Sequence, residues 1–192
     1  MPVLIVPGLY GSEPDHWQSL WENEIADAHR VEQVDWDTPH CETWLARLVD
    51  EIERHPGAIL VGHSLGGTLI AHLAHLRPDL PVAGALLVVP ADPDLRKSSV
   101  LGIASFAPLP LSPFSFPAIV VASRTDPYMG LDRARVIANL WEANFVDAGE
   151  SGHINVESGH GAWPEGRVWL DRLRAPRGYL RAAVQRGEPR GL

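Results

Sequence analysis

Ile59-Leu60-Val61-Gly62-His63-Ser64-Leu65-Gly66-Gly67-Thr68-Leu69-Ile70-Ala71 is the stretch on which the reading of this chain turns. An apolar run climbs to a serine that has glycine two residues before and two residues after it, and a second apolar run follows at once. This is the G-x-S-x-G pattern of a nucleophile elbow, a tight strand-to-helix turn that holds one side chain clear of the backbone. At such a turn the central residue is conformationally strained, and the flanking positions pass too close to other backbone for a Cβ. A helix starting near Leu65 would point free N–H groups and its positive dipole end at negative charge forming beside Ser64. Five residues are too few to settle the matter, so the partners must be found elsewhere in the chain.

The chain has 192 residues, 45% of them hydrophobic and 21% charged, the profile of a water-exposed globular domain. That length predicts one domain, able to bury about 70% of the unfolded surface. Residues 1–176 are expected to form it. An Arg-rich tail, 177–192, follows, and from Glu165 onward there are seven arginines against three acidic residues. A net charge of −8 argues against nucleic acid and anionic membranes as partners. The single cysteine, Cys41, excludes an internal disulfide and a cysteine-based zinc site; beside His40 it reads as a packing residue rather than a thiol nucleophile. Met1-Pro2-Val3-Leu4 lacks a basic secretory signal, and the longest apolar stretch, Val82 to Ala91, is about half a bilayer span. A cytoplasmic location is the expectation.

Outward from the elbow, Val3–Val6, Ala58–Val61, Val82–Val89 and Ala118–Val121 read as fully buried strands, because each is a continuous apolar run. Arg30–Val34 and Asn144–Val146 are shorter strand candidates. Helices are predicted from Asp15 as cap through Trp17, Trp21 and Ile25, and from Thr43 as cap through Trp44, Leu48 and Ile52. Others are expected from Leu65 to near Arg77, over Leu131–Glu142, and around Val168–Leu173. Trp17 and Trp21 are taken as core. Prolines at 90, 93, 108, 110, 113 and 117 make residues 90–117 a long loop with one short run around Ser98–Ala104, too small for a cap domain. Alternating strands and helices predict an α/β fold: a mainly parallel sheet with helices on both faces and a site at the carboxyl ends of the strands.

Ser64 needs a base within hydrogen-bond reach and a third group to orient that base. Asp126, in the turn after strand 118–121, is the first choice of acid; Asp147, Asp92 and Asp94 compete. His153 is preferred to His160 as base because it follows the last strand sooner. His63 reads as packing or hydrogen bonding beneath the turn, and His16, His29, His40, His55, His72 and His75 as surface or packing residues away from the strand ends. For an oxyanion hole, the Leu65 N–H would be joined by that of Leu9, with Tyr10 next. Tyr10, Tyr128 and Met129 are candidate pocket residues, and the proline-rich loop a candidate roof.

Taken together, Val6-Pro7-Gly8, the Trp17/Trp21 pair, Gly62-His63-Ser64-Leu65-Gly66-Gly67, Ser123-Arg124-Thr125-Asp126-Pro127-Tyr128 and Gly152-His153-Ile154-Asn155 make the chain resemble the small α/β-hydrolases. It is most similar to the retinoblastoma-binding-protein-9-like (YdeN-type) serine hydrolases, over roughly Val3 to Leu173. The resemblance implies a compact α/β-hydrolase sheet of about six strands without a cap domain, and places the family's triad on Ser64, Asp126 and His153. It implies an esterase-like serine hydrolase that uses no metal or organic cofactor and takes a small acyl substrate. Acyl transfer, thioester or amide cleavage would use the same residues, and a protein-binding role on the same fold is the alternative of another class. The sequence names no protein partner.

Overall fold

The apolar runs all enter one sheet. In this computed structural model, which describes residues 1–95 and 102–175, the strands are β1 (Val3–Val6), β2 (Ala28–Arg30), β3 (Ala58–His63), β4 (Val82–Val88), β5 (Ala118–Ala122) and β6 (Asn144–Asp147). They run in the order β2-β1-β3-β4-β5-β6, every pairing parallel. The helices are α1 (Trp17–Glu24), α2 (Cys41–Arg54), α3 (Leu65–Leu76), α4 (Leu131–Leu140) and α5 (Pro164–Arg174).

Alternate residues of the central strands supply two separate cores, because successive side chains of a strand point to opposite faces. Leu4, Val6, Leu60, Leu87 and Val120 pack with α2, α3 and α4. Val3, Ile5, Val61, Val88 and Val121 pack with Trp17 and Trp21 of α1 and Leu170 and Leu173 of α5. Both tryptophans are fully enclosed, as core residues. The strand order reverses direction between β1 and β3, which opens a crevice at their carboxyl ends, the usual place for a site in an open parallel sheet. No helix among the described residues is long and apolar enough to cross a membrane.

Several local readings need correction. His16, not Asp15, caps α1: its ring accepts a hydrogen bond from the Gln18 N–H, the job an aspartate oxygen performs elsewhere. Helix α2 begins at Cys41, two residues before Thr43, with His40 at its cap position and no side-chain cap. Strand β2 covers Ala28–Arg30 rather than Arg30–Val34, since Val3 and Ile5 set its register through Ala28 and Arg30. Helix α4 stops at Leu140, before Glu142, which adopts a left-handed φ of 56°. The proline-rich segment starts at the elbow, where the Ala91 N–H donates to the Ser64 carbonyl, holds a 3₁₀ turn at Ile103–Phe106, and from there is tied to the α2–α3–α4 face. His72 bonds to the Phe106 carbonyl at 2.8 Å, the Trp141 indole donates to the Pro110 carbonyl at 2.8 Å, and Phe106, Leu109 and Phe116 join the core. Residues 96–101 and the Arg-rich tail, 177–192, lie outside the described residues.

The elbow is pressed against β1. A Cβ on Gly66 would lie 2.0 Å from the Val6 carbonyl oxygen, and one on Gly62 would lie 2.8 Å from the Gly66 carbonyl oxygen and the Gly67 nitrogen. Backbone on both sides leaves nothing that could move aside cheaply. Gly66→Ala is therefore expected to destabilise the fold by about 3 kcal/mol, the upper end of overpacking costs, read as a lower urea midpoint. An unchanged midpoint would contradict this packing.

Candidate active site

Ser64 follows β3 and occupies the N-cap position of α3 with φ 52° and ψ −121°, a conformation costly for a residue with a side chain. It is held there by backbone: its N–H donates to the Val88 carbonyl at 3.0 Å and its carbonyl accepts from Gly67 and Ala91 at 3.0 and 3.1 Å. Strand β4 and the first turn of α3 thus clamp the residue from both sides.

Asp126 and His153, the expected acid and base, lie on two neighbouring loops. After β5, Ser123-Arg124-Thr125-Asp126 turns tightly, with the Thr125 N–H donating to the buried Ser123 hydroxyl oxygen at 3.3 Å. After β6, the Ser151 N–H also donates to Ser123 Oγ, at 3.0 Å, and the Gly152 N–H to Thr125 Oγ1, at 2.9 Å. These cross-loop bonds bring His153 against Asp126, and His153 Nδ1 donates to Asp126 Oδ1 at 2.8 Å. The pair is shielded, the aspartate side chain 2% and the histidine 11% exposed. A carboxylate on Nδ1 selects the tautomer whose Nε2 is free to accept a proton.

The competing residues are engaged elsewhere. Asp147 forms a surface ion pair with Arg124 at 3.0 Å, and Asp92 and Asp94 share Arg133. His160 turns its Nδ1 toward the Ser158 hydroxyl at 3.3 Å and borders, with Arg124, Asp147 and Trp169, an open cleft of about 800 Å³ that Ser64, Asp126 and His153 do not line. Burial pushes the Cys41 thiol up to about 11, with the Glu42 charge adding to it, which suppresses the thiolate a nucleophile would need.

The loop after β1 lies over the elbow: a Cβ on Gly8 would sit 2.9 Å from Ser64 Cβ and 3.2 Å from the Leu65 nitrogen. Leu65 opens α3, so its N–H has no partner within the helix. In the facing loop, Tyr10 N–H donates to the Trp36 carbonyl at 3.0 Å and Gly11 N–H to the Gly8 carbonyl at 3.1 Å. That removes Tyr10 as a backbone donor, whereas the N–H groups of Gly8 and Leu9 donate to no backbone carbonyl among the described residues. The Tyr128 ring meets His153 edge-on, with centroids 4.5 Å apart, and is half exposed; Tyr10 is more exposed still. Met129 is only 2% exposed and packs in the α2–α3–α4 core, so it does not stand at a surface pocket.

Sequence reading missed three residues here. Gln18, fully buried on α1, donates through Nε2 to the Val6 and Val61 carbonyls at 3.2 and 3.0 Å, bridging β1 and β3 where they diverge. A glutamine beside Trp17 on the helix that buries Trp17 and Trp21 was the available signal. Ser123 links the acid and base loops, and only its place after a buried strand hinted at that. His16 does not lie away from the site: it is 2% exposed, its ring centroid 4.8 Å from that of His63, which in turn lies 4.8 Å from that of His153. His63 itself is hydrogen-bonded beneath the turn, as its position beside the serine predicts. Burial, then the charge of Arg30 and the proximity of His153, lowers the His16 pKa to about 4; burial holds His63 well below its ordinary value, with His153 and His16 adding to the effect.

Comparison with known proteins agrees with this architecture. A family model described as serine hydrolase matches residues 3–172. A YdeN-like hydrolase from Pectobacterium atrosepticum is 32% identical, with 90% of this chain and 89% of that one covered and a TM-score of 0.80. The ydeN gene product of B. subtilis is 19% identical over 91% of this chain and 99% of its own, with a TM-score of 0.74. A thermophilic esterase from Thermogutta terrifontis shares the fold at 18% identity, 91% coverage of both chains and a TM-score of 0.64. A search of curated protein sequences finds no match. The fold is that of a compact α/β-hydrolase. The chain belongs to the serine hydrolase family and is of the YdeN type.

The buried histidines link stability to pH. His16 titrates near 6.5 when exposed and near 4 in the folded protein, so between those values the unfolded chain binds more protons. Stability is therefore expected to fall as pH drops from about 6.5 toward 4, with no cost from this group above that window, and His63 acts in the same direction. Urea midpoints across the window should decline less steeply in His16→Gln; equal slopes would clear His16 as a source.

Proposed function

We propose that this protein hydrolyses small carboxylic esters through an acyl-enzyme on Ser64. The observation that carries the reading is the enclosed Asp126–His153 pair, 2.8 Å apart, on the loops that follow β5 and β6, with Ser64 strained outward at the end of β3 in the same sheet. Family membership supports hydrolysis in general. Esterases among the structures that share the fold favour an ester as the first substrate to try.

In the proposed cycle His153 Nε2 takes the Ser64 hydroxyl proton as Oγ attacks the ester carbonyl. Asp126 holds the resulting imidazolium by its bond to Nδ1, and the Leu65 and Leu9 N–H groups stabilise the oxyanion. His153 then protonates the leaving alcohol. Water, deprotonated by the same imidazole, releases the acid and restores Ser64. Each step uses side chains, backbone and water, and the partner is a small acyl compound. Tyr128, edge-on to His153, would border the bound substrate.

The decisive experiment is labelling by a fluorophosphonate probe together with turnover of a short-chain p-nitrophenyl ester. Ser64→Ala is expected to lose both, and His153→Ala and Asp126→Asn to lower kcat on the order of 10⁴-fold. Labelling that survives in Ser64→Ala overturns the assignment; a crippled His160→Ala beside an active His153→Ala would move the base. Added alcohols that divert most of the acyl group from water would make the enzyme a transferase instead.

A further inference from the structure

The loop that carries His153 is held from three directions. Toward β5 it is tied by Ser123 and Thr125 and by the Arg124 N–H, which donates to the Gly149 carbonyl at 2.7 Å. Toward α1 the Trp17 indole N–H donates to the Ile154 carbonyl at 2.9 Å. Toward β3 there is one hydrogen bond between residues 58–67 and residues 149–155, among the described residues: His63 Nε2 to the carbonyl oxygen of His153, at 2.9 Å. It joins the residue immediately before Ser64 to the backbone of His153 itself.

A carbonyl only accepts, so this bond requires the hydrogen of His63 to sit on Nε2. The surroundings keep the ring neutral and immobile. His63 is 6% exposed and packed against His16, with centroids 4.8 Å apart, and edge-on against Trp17, with centroids 5.8 Å apart. His16 is fixed in turn, because its Nδ1 accepts the Gln18 N–H at 3.1 Å and its hydrogen must therefore be on Nε2. Residue 152, before His153, is a glycine at φ 55°, and residue 154, after it, an isoleucine at φ 44°. The base thus stands on a short left-handed kink whose carbonyl points back at the elbow.

We infer that His63 is a positioning residue: its Nε2–H, donated to the His153 carbonyl, sets the distance between the loop that carries the base and the elbow that carries Ser64. The Asp126 bond orients the His153 ring but anchors it to β5; only the His63 bond refers it to the strand that ends in the nucleophile. The inference rests on the Ser64–His153 reading given above. A displacement of about 1 Å between reacting groups can cost on the order of 100-fold in rate, so one such tether is enough to matter.

Side-chain geometry supplies the test. The amide nitrogen of glutamine reaches the place of Nε2, whereas that of asparagine falls short, near Nδ1. Ser64→Ala, His63→Gln, His63→Asn and His63→Leu would be compared by thermal unfolding, by steady-state turnover of the p-nitrophenyl ester and by the pH dependence of kcat. Expected is kcat within about threefold of the parent for His63→Gln, and 10- to 100-fold lower for His63→Asn and His63→Leu, at little change in KM and with the acid limb of the pH profile unmoved. Should His63→Leu not fold, the Gln–Asn pair carries the comparison. Equal activity in Gln and Asn variants, whether both high or both low, overturns the positioning role. So does a loss that appears wholly in KM. If Ser64→Ala keeps its activity, the reading of the site fails first, and that outcome is distinct from the other two.

Discussion

The close approach of the elbow to β1 is the constraint on which this molecule depends. Val6 pairs with Gly62 in the sheet, and the Val6 carbonyl also meets the first turn of α3, where only a residue without a Cβ fits. That contact fixes where α3 leaves the sheet, and with it the strained backbone of Ser64. It also determines how near the Gly8 loop comes to the serine, since that loop begins at the strand end pressed against the helix. The conformational cost at Ser64 is borne by surrounding packing, in keeping with strain that persists only where neighbours over-determine it. Gln18 strengthens the same junction from the opposite face by donating to the carbonyls of Val6, at the end of β1, and Val61 of β3.

Everything else at the candidate site follows from strand order. With β1 and β3 adjacent and their connections leaving in opposite directions, a crevice opens at their carboxyl ends, and the loops after β5 and β6 reach it from one side. Those two loops are joined to each other by short polar residues, Ser123 and Thr125, before either reaches the elbow. The Asp126–His153 pair is thereby assembled as a unit on the β5–β6 edge. The bond from His63 then ties that unit to the strand that leads into Ser64.

The histidines divide by environment rather than by residue type. His153 keeps a carboxylate on one nitrogen and an open second nitrogen. His63 and His16 are enclosed among aromatic rings, neutral, and each has one nitrogen fixed by a backbone group. Neutral packed imidazoles beside His153 allow close support without placing a second positive charge next to the imidazolium that the proposed cycle would form. The same burial makes this layer a point at which acid weakens the fold.

The sequence by itself determined the alternating elements, the four buried strands, the elbow and the choice of Asp126 and His153, because each is written in local pattern: continuous apolar runs, glycines at fixed offsets, turns after strands. It also placed Trp17 and Trp21 in the core, where both are enclosed. What only the tertiary structure decided depends on groups distant in the chain. His16 reads as a surface or packing residue away from the strand ends until α1 folds onto the second face of the sheet and brings it against His63. Ser123 and Thr125 look like ordinary turn residues until the β6 loop arrives to donate to them. Met129 looks available until the α2–α3–α4 core closes over it. Tyr10 keeps its N–H for an oxyanion until Trp36, twenty-six residues on, claims it. In each case the deciding partner is a backbone group, ring or apolar side chain brought in by packing, and local periodicity carries no information about it.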